Sequence, residues 1–138
     1  MIWGTKKMTK TKTIKQTVIF KCSPNDVYEA FMDEKKHSEF IGSKAKINRK
    51  EGGKFTIYEG AIDGTNLELV QGKKIVQKWR YEDWPDKHYS TITLILKKDP
   101  KGTKMEFIQE GVPEDKYEAI KQGWVDYYWN PMKEMLEK

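Results

Sequence analysis

An α+β fold, in which a curved antiparallel sheet is covered by one long C-terminal helix, is predicted by three observations. The first is the closing stretch Lys116 to Lys138, KYEAIKQGWVDYYWNPMKEMLEK. At 100° per residue, Tyr117, Ile120, Tyr127, Tyr128, Pro131 and Met135 all fall within about 60° of Trp124, an aromatic stripe on one helix face. The second is the alternation of apolar and polar residues, punctuated by turns, from Ser43 to Glu110. The third is that only two short helical segments separate the opening strand from that run, which leaves no βαβ crossover. A sheet with one polar face needs cover on the other, and the closing helix is the only element long enough to supply it.

The elements follow in order. Thr13 to Lys21 (TIKQTVIFK) is rich in β-branched residues and reads as a first strand. Ser23 as N-cap, Pro24 at the first helical position and Asp26 near the positive helix end start a helix over Pro24 to Met32. Glu34 to Ile41 is a second short helix, stopped by Gly42. Strands are then expected at Ala45–Asn48, Lys54–Glu59, Ala61–Val70 (interrupted at Asp63-Gly64), Lys73–Tyr81, His88–Leu96 and Thr103–Glu110. Glu51-Gly52-Gly53, Gly60, Trp84-Pro85 and Asp99-Pro100-Lys101-Gly102 mark the breaks between them. In the last helix Pro131 removes a donor and predicts a kink near Tyr127 to Asn130. A second apolar strip, Val125, Trp129, Met132 and Leu136, lies about 80–140° from Trp124 and has no assigned partner.

At 138 residues the chain is one domain's worth, and 12 % aromatics with 37 % hydrophobics support a packed core. No apolar run reaches the ~18 residues of a membrane span, and the opening MIWGTKKMTK has no signal-peptide core. Cys22 is the only cysteine, which excludes an internal disulfide and suits a reducing cytoplasm. The net charge of +5 resides mainly in residues 1–13, which hold four lysines and no acid. Residues 14–138 carry 22 basic and 21 acidic side chains. A nucleic-acid binder concentrates positive charge on a folded face, so a flexible basic tail over residues 1–12 and no nucleic-acid partner are expected.

His37, His88 and Cys22 show no metal-ligand spacing, so no metal and no cofactor are expected. Ser90 and His88 sit side by side on one strand face without a nucleophile elbow. The pairs Glu82-Asp83 and Glu114-Asp115 fall in turns, where capping and solvation explain them. Gly52-Gly53-Lys54 lacks the Ser/Thr and the following helix of a phosphate loop. No enzyme is recognisable.

Two features remain. One is the inner face of the expected grip: Trp79, Tyr81, Ile92, Leu94, Met105 and Phe107 against Trp124, Tyr127 and Tyr128, with Gln77, His88, Ser90 and Gln109 as polar points. Such a face either lines a pocket for a small apolar ligand or simply fills the space with side chains. The other is Trp84 in a turn and Trp129 on the helix flank, read either as partner-binding aromatics beside Arg80 and Lys87 or as local packing.

The motifs GGKF (Gly52 to Phe55), the Gly60 and Gly64 pair, KIVQKWR (Lys74 to Arg80), WPDKHYSTITL (Trp84 to Leu94) and QGWVDYYW (Gln122 to Trp129) resemble the C-terminal domain of the Aha1 family. The resemblance runs from about Thr13 to Met135 and implies a START-like, SRPBCC-type helix grip. It implies a non-enzymatic role on an Hsp90-type chaperone, whose ATPase that family activates. It assigns no catalytic residue, and nothing in residues 1–13 corresponds to the family's separate N-terminal domain.

Overall fold

The computed structural model describes residues 10–138. Most of the expected basic tail, residues 1–9, therefore lies outside the described residues. Strand β1 (Thr11–Phe20) begins two residues earlier than the sequence pattern suggests, because Thr11 and Lys12 pair with Pro113 and Val112. Helices α1 (Pro24–Met32) and α2 (Glu34–Ile41) follow, with the expected caps. The Ser23 hydroxyl accepts the Asp26 N–H at 3.1 Å, and Gly42 closes α2 at φ 66°. Strands β2 (Ala45–Ile47), β3 (Lys54–Ile57), β4 (Ile62–Val70), β5 (Lys74–Tyr81), β6 (Ser90–Asp99) and β7 (Gly102–Pro113) then complete one sheet.

That sheet has seven strands in the order β1-β7-β6-β5-β4-β3-β2, antiparallel throughout. Consecutive strands are neighbours except for β1, which returns to the far edge beside β7. Helices α1 and α2 cross between the two edges. Strand β4 is continuous through Asp63-Gly64, where an interruption was expected. Gly64 is paired on both sides, to Phe55 and to Trp79. A Cβ there would stand 2.4 Å from the Phe55 ring and closer still to the Lys78 carbonyl, so only glycine admits this approach.

The closing helix departs most from the sequence pattern. It runs as α3 (Tyr117–Trp124), a π-turn at Val125–Trp129, and α4 (Asn130–Leu136). The cause is Pro131, which offers no N–H to the turn before it; the Asn130 N–H instead reaches five residues back to the Val125 carbonyl. One extra residue in that turn shifts every later side chain by roughly 100°. Trp129, Met132 and Leu136 thereby come to within about 40° of the Trp124 direction, and the two strips become one continuous face. Trp124, Tyr128, Trp129 and Met132 are all buried. Tyr127, expected inward, is 64 % exposed.

The interior between sheet and helix is solid. Trp129 stacks on Trp124 at 5.2 Å and 14°, and Phe107 meets both rings at 4.5 and 5.1 Å. Trp79 lies 5.1 Å from Trp124 on the other side. Such close-packed aromatics dominate core energetics. Gln16 on β1 holds the π-turn from below. Its amide donates to the Lys121 carbonyl at 2.9 Å, and its oxygen accepts the Trp129 indole N–H at 2.7 Å.

A cleft at one end of the helix–sheet interface

The filled interior decides where most of the sequence-predicted ligand residues go. Ile92, Met105, Phe107 and Trp79 are core side chains and line no opening. Gln77 is buried and donates to Asn66 Oδ1 at 2.8 Å; Asn66 in turn donates to the Asn48 and Lys50 carbonyls. Gln77 therefore ties the β2–β3 connection to the sheet. Ser90 belongs to a chain of bonds. The Trp124 indole donates to Gln109 Oε1 at 2.7 Å, Gln109 Nε2 donates to Ser90 Oγ at 3.0 Å, and that hydroxyl donates to the Trp79 carbonyl at 2.7 Å. A hydroxyl so committed is structural, as buried polar groups generally are.

His88 does not face the interior. Its Nε2 donates to the Gly111 carbonyl at 2.8 Å and its ring meets Trp84 edge-on at 5.6 Å. The other histidine, His37, is the buried one. Its Nδ1 donates to the Phe31 carbonyl at 2.7 Å, which leaves Nε2 to accept from the Tyr128 hydroxyl at 2.9 Å. Burial pushes its pKa down to about 4, so it is neutral at physiological pH.

The two tryptophans expected on the surface are both buried. Trp84 is 4 % exposed, packed 5.2 Å from the Tyr81 ring, and Arg80 fixes its loop by donating to the Trp84 and Pro85 carbonyls at 2.8 and 3.2 Å. Trp129 is 2 % exposed because the π-turn rotates it into the core. Of the partner-binding set, Lys87 alone is exposed, with a left-handed backbone at φ 61°.

What remains open is a cleft of about 510 Å³ at the end of the sheet where β3–β4 and β5–β6 turn. Of the sequence-predicted ligand residues, Tyr81, Trp124, Tyr127 and Tyr128 line it, and Trp84 joins them. Tyr58, Ala61, Ile62, Ala119 and Gly123 complete the wall, and Asp83 pairs with Lys116 at 3.2 Å on the rim. Gly123 leaves room beside the aromatic stripe that a side chain would occupy. Tyr58 comes from the four-residue turn 58–61 between β3 and β4, in which Tyr58 and Glu59 both have positive φ, 53° and 56°. Asn and Gly are the usual residues there, and a tyrosine carries a backbone cost of roughly 1 kcal/mol. The sequence placed Tyr58 and Glu59 at the end of a strand and marked only Gly60 as a break; β3 instead ends at Ile57, because both residues adopt left-handed backbone.

The chemistry of this cleft is that of an apolar slot with phenol hydroxyls. Burial pushes Tyr81 up to about 12 and holds Tyr128 well above its usual value, so both stay neutral and can only donate or accept a hydrogen bond. The Tyr128 hydroxyl is already spent on His37. The Trp79 indole N–H finds no acceptor in hydrogen-bonding geometry, although it lies close enough to the Tyr81 hydroxyl to favour the phenolate. No nucleophile with an adjacent base lines the cleft. Among the described residues there is no group of three or more His, Cys, Asp or Glu side chains arranged for a metal, and no helix long and apolar enough to cross a membrane.

A seven-stranded antiparallel sheet gripping a C-terminal helix, with two short helices after the first strand, defines the helix-grip or START-like class. Comparison with known proteins narrows this. The family model described as "Activator of Hsp90 ATPase homolog 1-like protein" matches residues 21–137, and the chain belongs to that family. The activator of 90 kDa heat shock protein ATPase homolog of Dictyostelium discoideum is 41 % identical over 121 residues, covering 87 % of this chain and 31 % of that protein. Homolog 1 of Homo sapiens is 34 % identical over 131 residues, covering 95 % and 38 %. The chain thus spans about a third of the length of these relatives. The crystal structure of an HSP90 activator from Plasmodium falciparum superposes with a TM-score of 0.81 at 26 % identity, over 92 % of this chain and 96 % of that one.

Proposed function

We propose that this chain is a non-enzymatic Aha1-type domain that binds an Hsp90-type chaperone and stimulates its ATPase. The observation that carries the reading is the family match over residues 21–137, together with relatives named for that activity. Stimulation then works by population shift: the domain binds the ATPase-competent conformation of the chaperone more tightly than the open one, each tenfold preference being worth about 1.4 kcal/mol. With Trp84 and Trp129 buried, we assign the contact to the loop that Trp84 anchors, held by Arg80 and presenting Lys87, and give Trp129 a structural role. A cytoplasmic location accompanies this reading, in keeping with the lone, partly buried Cys22. The test is titration of the protein against its host's Hsp90 with the ATPase rate as readout. A rise in rate that saturates is expected; no binding and no change at high excess would overturn the assignment.

A second reading has its own observation. A slot of about 510 Å³ with apolar walls and a few hydroxyls is the size of a small-molecule site. On this reading the cleft holds a small apolar ligand. Native mass spectrometry of protein purified from its host shows a retained molecule if so, and a bare mass after gentle purification counts against it.

A further inference from the structure

We propose that a groove at the end of the sheet opposite the cleft binds an acidic peptide segment carrying an apolar side chain. The turns of an antiparallel sheet emerge at two ends, and in this molecule the two ends are oppositely charged. Residues 82–87 and 110–118, at the cleft end, hold seven acidic residues and two lysines. Residues 71–74 and 97–104, at the other end, hold six lysines and a single acid, Asp99. Since residues 14–138 are nearly balanced overall, this is segregation of charge and not an excess of it.

Between the β4–β5 turn, the end of β6 and the start of α1 lies a groove of about 780 Å³. Its apolar lining includes Pro24, Ile95 and Val70, the last 39 % exposed, and its rim is Lys73, Lys74, Lys97 and Lys98. Lys74 pairs with Glu68 at 3.2 Å, while the other three lysines have no ion-pair partner among the described residues. Two of the carboxylates near the groove are already engaged. Asp99 accepts the Lys101 N–H at 3.0 Å, and Glu29 is held by Arg49 through two bonds of 2.8 and 2.7 Å. Asp26 in the first turn of α1 is the remaining carboxylate at this end of the helix. The groove is also preformed. Gln71 in the turn donates to Asn25 Oδ1 and to Glu29 Oε2, both at 2.7 Å, which fixes the hairpin to α1.

The shape favours a peptide over a lipid surface. A flat anionic bilayer engages projecting lysines alone, whereas an extended chain can pair carboxylates with them and lay an apolar side chain on Val70 and Ile95, which flank Lys74 on one sheet face. The inference does not rest on the chaperone reading, because an acidic segment of any protein meets these requirements.

The test is fluorescence anisotropy of the full chain with a labelled peptide of about twelve residues, Glu and Asp with two Leu, at low salt. Binding is expected to weaken at least tenfold in Lys73→Glu/Lys98→Glu, and again as salt rises from about 50 to 300 mM. Val70→Ser, or replacing both peptide leucines by serine, is expected to weaken it about threefold. Lys35→Glu/Lys46→Glu, outside the groove, is expected to change it less than about twofold. Circular dichroism confirms that each variant is folded. Absence of binding at about 1 mM peptide, equal losses from groove and control reversals, or tighter binding to phosphatidylserine vesicles than to the peptide would each overturn the proposal.

Discussion

The interface between the closing helix and the sheet is solid along most of its length and open at one end. In the solid part, around Trp129, Phe107 and the Trp79–Trp124 contact, aromatic rings meet at 4.5–5.2 Å, and both indoles of the helix have an acceptor. At the open end Tyr127 is exposed, Tyr58 sits on a strained turn, and a cleft remains. The same helix therefore does two jobs, and the difference between them lies in a single turn. Before and after it the residues that pack are spaced for one face; within it two neighbours, Tyr128 and Trp129, are buried together. Side chains at the solid end hold the fold, and Tyr127 at the open end carries little of the packing.

The sharpest way to break this comparison is truncation on both sides. Trp129→Ala is expected to cost about 3–5 kcal/mol in urea unfolding, and Tyr127→Ala less than about 0.5 kcal/mol. Similar losses at the two positions would mean that the division is wrong. Next in size is the pH response of His37. Its pKa is depressed below the unfolded value of 6.5, so the unfolded chain binds the extra proton first and stability falls as pH drops through that window towards about 4. The shift corresponds to about 2.5 kcal/mol lost between pH 7 and pH 4.5, seen as a falling urea midpoint, and a flat midpoint over that range would refute the buried neutral state. Gln16→Ala is expected to cost about 1–3 kcal/mol, because it orphans both the Trp129 indole and the Lys121 carbonyl; hydrogen exchange of that indole should accelerate. The smallest effect on stability is expected for Tyr58→Asn, within about 0.5 kcal/mol, since relief of the positive-φ backbone offsets lost contacts. Uptake of a fluorescent apolar dye by the cleft should nonetheless drop, which distinguishes a wall residue from a core one.

Much of this architecture was legible in the residues. Alternation placed Ile75, Gln77, Trp79 and Ser90, Ile92, Leu94 on one buried face, and Ser23-Pro24 and Gly42 marked helix ends that the structure keeps. What was not legible came from places where periodicity stops being uniform. The helical wheel assumes one angle per residue, so it split the buried face into two strips, put Tyr127 inside and left Trp129 outside. Pro131 signalled a disturbance but not its direction. Gly64 looked like a break because a glycine in a strand weakens it; the Phe55 ring that requires it lies on another strand. Trp84 looked exposed because it stands in a turn, and only the fold supplies Tyr81 and His88 around it. The cleft itself was half visible. Its aromatic wall lies on regular elements, whereas Tyr58 comes from a turn whose backbone no propensity argument would choose for tyrosine.

The wide turn in the closing helix has a consequence for how this chain tolerates change in length. Deleting one residue between Val125 and Trp129 would permit regular hydrogen bonding, yet it would swing Met132 and Leu136 about 100° away from α1 and the sheet. Adding one residue between Tyr117 and Trp124 would displace Ile120 or Trp124 by the same angle. Substitutions that preserve bulk are absorbed far more easily than either. The spacing between Trp124 and Met132 is thus a ruler, and the segment keeps its function only while the count of residues along it stays the same.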